Sequence, residues 1–141
     1  IDRLYEASQA GVEIDLIVRG ICCLIPGQKY SRNIRVTRIV DTFLEHARIW
    51  YFGNGGNPKL FLGSPDWMRR NLYRRIEAVT PILDPDAKQE LIDMLSIQLS
   101  DKRKACFVDE NLHNCWKSAH PLKEKVRSQY TFYEYLKERI E

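Results

Sequence analysis

At 141 residues the chain has the length of one typical domain, and its 44% hydrophobic and 29% charged residues are ordinary for a folded globular protein. A formal net charge of only +3 gives no bulk argument for a nucleic-acid or membrane-surface protein. No run approaches the roughly 18 apolar residues that span a bilayer, and no signal-peptide pattern is present.

The chain opens at Ile1-Asp2-Arg3 without an initiator Met, which suggests a piece of a longer polypeptide. Residues 2–10 are helical in composition, and Gly11 stands where a helix stops. Val12 to Val18 is apolar and β-branched, which predicts a strand buried on both faces. "RGICCLIPGQKYSR" reads as a loop leaving the carboxyl end of that strand, and "NIRVTRIV" as a second, alternating strand. Asp41 to Glu45 reads as a short turn or helix.

"ARIWYFG" and "KLFLG" then form two strands joined by "NGGNP", a strong hairpin signal. "SPDWMRRNLYR" offers Ser64 or Asp66 as the cap of a short helical turn, and "RIEAVTPI" follows as another strand. The clearest helix is "DPDAKQELIDMLSIQLSD", where Asp84 precedes Pro85 at the first helical position. Its Leu91, Ile92, Leu95 and Leu99 recur at helical spacing. "KACFV" is a short strand, "DENLHNCWKSAHP" a loop, and residues 121–140 a charged helix. The alternation predicts an α/β or α+β sheet domain.

His46 is the first chemical candidate, since imidazole serves phosphoryl or acyl chemistry near neutral pH. Taken alone, a histidine ahead of a strand is more often an ordinary surface or capping residue. The arginines change the balance. Arg69, Arg70, Arg74 and Arg75 lie within seven residues, and guanidinium groups bind phosphate bidentately. Arg19 follows an apolar strand, where ligands of open sheets bind. Ser64 and nearby backbone N–H groups supply an oxyanion or phosphate contact, or else a helix cap. Together Arg19, His46, Ser64 and Arg70 or Arg75 predict an anion pocket. His113, Cys115 and His120 match no zinc spacing, so no metal ligand is assigned to this chain. The four cysteines read as reduced thiols of a cytosolic protein.

"LIVRGICCLIPG", "NIRVTRIVDTFLEHARIWYF", "NGG" and "GSPDWMRRNLYRRIEAVTPI", in this order, resemble the C-terminal region of the polyphosphate kinase family, over nearly the whole chain. The closing "TFYEYLKERIE" is similar to that family's end. The resemblance implies a truncated phospholipase-D-like mixed sheet flanked by helices. Residues 1–141 would form a single domain, most of the family's second phospholipase-D-like catalytic domain. It implies reversible transfer of the terminal phosphate of ATP to inorganic polyphosphate, through a phosphohistidine on a domain upstream of this chain. Carried over residue by residue, it makes Arg19 an ATP-phosphate ligand. His46 becomes a proton donor or electrostatic partner, and Arg75 a tunnel-lining group. Mg²⁺ is implied, with ligands outside this chain. The implied partners are ATP/ADP, polyphosphate and the upstream domains of the same polypeptide, with no nucleic acid. A homo-oligomer and a peripheral association of a cytoplasmic enzyme with the inner membrane stay open.

Four positions depart from the patterns. The phospholipase-D motif wants His-x-Lys with an acidic residue further on, and here Arg48 and Gly53 occupy those places. Pro65 and Tyr73 stand where the kinase family usually shows Ala and Asp. Two rival readings remain, a phospholipase-D-like phosphodiesterase and a polyanion-binding module that would not depend on His46.

Overall fold

The structure is a computed structural model and describes residues 1–140. In chain order the elements are α1 (Asp2–Gln9), β1 (Ile14–Ile17), β2 (Ile34–Ile39), β3 (Ile49–Phe52) and β4 (Lys59–Gly63), then α2 (Arg69–Arg74), β5 (Val79–Pro81), α3 (Pro85–Ser100), β6 (Ala105–Val108), β7 (Asn114–Trp116) and α4 (Ser128–Ile140). The expected mixed α/β content is present, as two sheets flanked by helices. The chain divides into two compact units, one made of Ile1–Glu45 with Ser96 onward, the other of His46–Leu95. Among the described residues no helix is long and apolar enough to cross a membrane.

The first unit holds a sheet in the order β1-β2-β6-β7, parallel between β1 and β2 and antiparallel elsewhere. Its core is Leu24, Ile34, Val36 and Val108, with Leu4, Tyr5, Leu16 and Val18 packed against them. The strand covered on both faces is β2, where Ile34, Val36, Thr37 and Ile39 are all buried. This corrects the expectation for β1, which no residue buries fully and which ends the strand order, paired on one side only. Gly11 ends α1 as expected. At φ +91° its N–H reaches Ser8 O, while Val12 N–H reaches Ala7 O, so two helix-end carbonyls are satisfied.

Two further expectations are corrected in this unit. The predicted loop 109–121 contains β7, because Cys106, Phe107 and Val108 pair with Trp116, Cys115 and Asn114 around a turn capped by Asp109. The last helix starts at Ser128 rather than near residue 121. The fully buried carboxylate of Asp101 explains that start. It accepts from Ser128 N–H at 2.7 Å, and from Arg103 and Lys104 N–H at 2.8 and 2.7 Å. A carboxylate on the first amide of a helix caps it and complements its dipole.

The second unit is built on the antiparallel sheet β3-β4-β5. Asn54, Gly55 and Gly56 all have positive φ (46°, 60° and 90°), which is why "NGG" closes this hairpin. The cap of α2 differs from expectation. Its N-cap is Met68, without a side-chain bond, because Ser64 and Asp66 are engaged elsewhere. Pro85 does open α3, with Ala87 N–H donating to Asp84 Oδ1 at 2.8 Å.

Gly63 is required by packing. A Cβ there would sit 2.5 Å from Cζ3 of Trp50, a ring that stacks on Trp67 with centroids 6.4 Å apart. Gly63→Ala is therefore expected to destabilise the protein by about 1–3 kcal/mol. A thermal midpoint equal to that of the unsubstituted protein would show that the indole yields without cost.

Candidate functional site

In the second unit, the start of β3, the end of β4 and the approach to β5 lie at one end of the sheet. Gly63 N–H bonds Arg48 O, and Ser64 N–H bonds Ala78 O. That register brings His46, Arg48, Ser64, Asp66 and Glu77 into one polar patch. Three bonds organise its first half. Arg48 donates from Nε and Nη2 to Asp66 Oδ1 at 3.1 and 2.9 Å, and from Nη1 to His46 O at 3.0 Å. The same Nη1 lies 2.9 Å from His46 Nδ1 and 3.2 Å from Nε2. Arginine has only donors, so the imidazole nitrogen facing it acts as acceptor. His46 itself is exposed.

The second half of the patch centres on Glu77. Ser64 Oγ donates to Glu77 Oε2 and accepts from Ala78 N–H, and buried Asn71 donates from Nδ2 to Glu77 Oε1 at 2.7 Å. The Ser64 hydroxyl and the Asn71 amide, with the charges of Arg75 and Arg48 beyond them, hold the Glu77 carboxyl below its ordinary range. Arg70 lies on α2 and Arg75 just past its end, both exposed.

Arg19 belongs to the other unit. It lies two residues beyond β1, and its Nη1 donates to the carbonyl oxygen of Glu45 at 3.0 Å. The segment Asp41–Glu45 forms no regular element, yet side chains of the same unit bind it throughout. Arg127 makes a bidentate pair with Asp41, and Gln129 brackets the Phe43 peptide by accepting from its N–H and donating to its C=O.

The structure thus places His46 and Ser64 in one patch, with Arg75 acting on its Glu77, and puts Arg19 in a separate unit. Sequence reasoning did not identify Asp66, Asn71 and Glu77 as patch members. Asp66 had been read as a cap, and the Asn71–Glu77 bond skips the end of a helix, a spacing with no motif. Among the described residues no group of three or more His, Cys, Asp or Glu side chains could hold a metal ion.

A family model described as polyphosphate kinase C-terminal domain 2 matches residues 1–129. The polyphosphate kinase of Escherichia coli is 47% identical over 138 residues, covering 97% of this chain and 20% of its own length. That of Synechocystis sp. is 59% identical over 106 residues, covering 74% of this chain and 15% of its own. Among solved structures, the crystal structure of polyphosphate kinase from Porphyromonas gingivalis matches with a TM-score of 0.93 and 56% identity, over 98% of this chain and 21% of that one. The chain spans about a fifth of the length of such relatives.

Proposed function

The chain belongs to the polyphosphate kinase C-terminal domain 2 family, and from that premise we propose that it works as part of a polyphosphate kinase. In this reading the whole enzyme, a cytoplasmic one, reversibly transfers the terminal phosphate of ATP to inorganic polyphosphate. The transferred group passes through a histidine on another domain of the same polypeptide. The present chain, most of the second phospholipase-D-like catalytic domain, supplies phosphate-binding and proton-handling groups. The observation that carries the reading is the family match over residues 1–129.

Phosphoryl transfer asks little covalent chemistry of a protein and much positioning and charge stabilisation. Guanidinium forks suit that task, and Arg19, Arg70 and Arg75 are the groups assigned to phosphate oxygens. His46, an exposed imidazole held beside Arg48, is the group assigned to proton donation, since imidazole gives and takes a proton near neutral pH. Asp66 in turn fixes Arg48. That commitment of Arg48 also argues against the phosphodiesterase reading, whose motif needs a lysine at this position free to meet a phosphate. Ser64 would have to release Glu77 before it could bind an anion. Mg²⁺ would come with ligands from outside this chain and would neutralise phosphate charge.

Triphosphate binding tests the assignment of the arginines. In the full-length enzyme, affinity for triphosphate should fall as salt rises, because opposed charges at an exposed site are screened. With Arg70 and Arg75 both changed to Ala, affinity should drop and its salt dependence should become shallower. An identical salt dependence in that double variant would remove these two arginines from the phosphate site.

A further inference from the structure

Glu45 has no role in the reading above, yet from an otherwise irregular segment it makes three hydrogen bonds to other elements. One carboxylate oxygen, Oε2, accepts from Gln98 Nε2 at 2.8 Å, and the other, Oε1, accepts from Gln129 Nε2 at 2.8 Å. Gln98 lies near the end of α3 and is buried, and Gln129 lies in the first turn of α4. The main-chain carbonyl of Glu45 accepts from Arg19 Nη1. Gln129 uses its amide fully, since Nε2 also donates to Phe43 O at 2.7 Å and Oε1 accepts from Phe43 N–H at 2.8 Å.

This arrangement answers a physical problem. An arginine side chain carries about 2 kcal/mol of rotamer entropy, and its fork binds phosphate well only if something else fixes its direction. One acceptor of Arg19 is a peptide oxygen outside any helix or strand, so no backbone ladder holds that oxygen in place. Two carboxamides from two helices do so instead, through the side chain of the same residue. We propose that Glu45, locked by Gln98 and Gln129, is the positioning residue that aims the Arg19 guanidinium. The proposal rests on the reading of Arg19 as a phosphate ligand. It adds that the helix ends carrying Gln98 and Gln129 govern phosphate affinity without touching phosphate.

A double-mutant cycle in the full-length enzyme tests it. Gln129→Met keeps the length of the side chain and deletes its hydrogen bonds, and Glu45→Gln perturbs the same lock from the other partner. Hydrogen bonds to a charged group are among the stronger ones, so each variant should lose about tenfold or more in kcat/KM for ATP, with KM raised. In an Arg19→Ala background the same changes should have little further effect, because the group they aim is gone. Thermal unfolding of each variant separates aiming from loss of fold. A full additional loss on the Arg19→Ala background would make the lock merely structural, and normal KM in both single variants would equally overturn the proposal. Near-normal activity of Arg19→Ala alone would instead remove the phosphate-ligand reading, and the proposal with it.

Discussion

His46→Ala in the full-length enzyme is expected to lower kcat for polyphosphate synthesis by about 10²–10⁴, the usual worth of general acid–base help. ATP affinity should largely survive, because the ring is assigned to the transfer step and not to ground-state binding. Arg19→Ala should behave differently. A guanidinium that holds phosphate oxygens in the ground state and more tightly in the transition state contributes to both, so KM should rise and kcat fall. Any phosphoenzyme remaining in the His46→Ala protein should map to a histidine outside this chain. Steady-state kinetics with varied ATP and mapping of the phosphorylated residue are the measurements. Near-normal synthesis by His46→Ala would defeat the kinase reading of this residue and favour a module that binds polyanions through arginine alone.

Loss of the Arg127 side chain should clearly destabilise the fold. The Asp41 side chain is only 2% exposed, and Arg127 meets it with bonds of 2.8 and 2.6 Å. The Arg127 guanidinium also lies over the Tyr130 ring, 4.1 Å from its centroid. Removing Arg127 leaves the Asp41 carboxylate, little exposed itself, without its main partner, which is destabilising. The pH dependence carries a sign. The Arg127 bonds hold the Asp41 carboxyl below its ordinary range, so the pair stabilises the fold above the unfolded carboxyl value of about 4. That contribution is lost as pH falls through the lowered folded value. Arg127→Ala should therefore unfold at much lower denaturant than the unsubstituted protein at neutral pH, and the gap should narrow in acid. A gap independent of pH would mean that lost packing on Tyr130, not charge, explains the defect.

Much of this protein was legible in its sequence because the relevant rules act over a few residues. Gly11 ends α1 through bonds to carbonyls three to five positions back, Asp84 caps α3 from just before Pro85, and "NGG" dictates a hairpin through backbone conformations open to few residue types. The family was legible too, because long motifs in fixed order identify it. Other features were decided only in three dimensions. β7 is three residues with no alternating strand pattern around them, and it pairs because β6 presents an edge to it. α4 begins where the Asp101 carboxylate, 27 residues earlier, meets its first amide. Ser64 and Asp66 look like caps in sequence, but tertiary contacts turn them toward Glu77 and Arg48. Glu45 reads only as the end of a short turn or helix, yet its partners Gln98 and Gln129 lie 53 and 84 residues away. Hydrogen-bond partners at such separations leave no periodicity or spacing to read, since only the folded chain brings them within 3 Å.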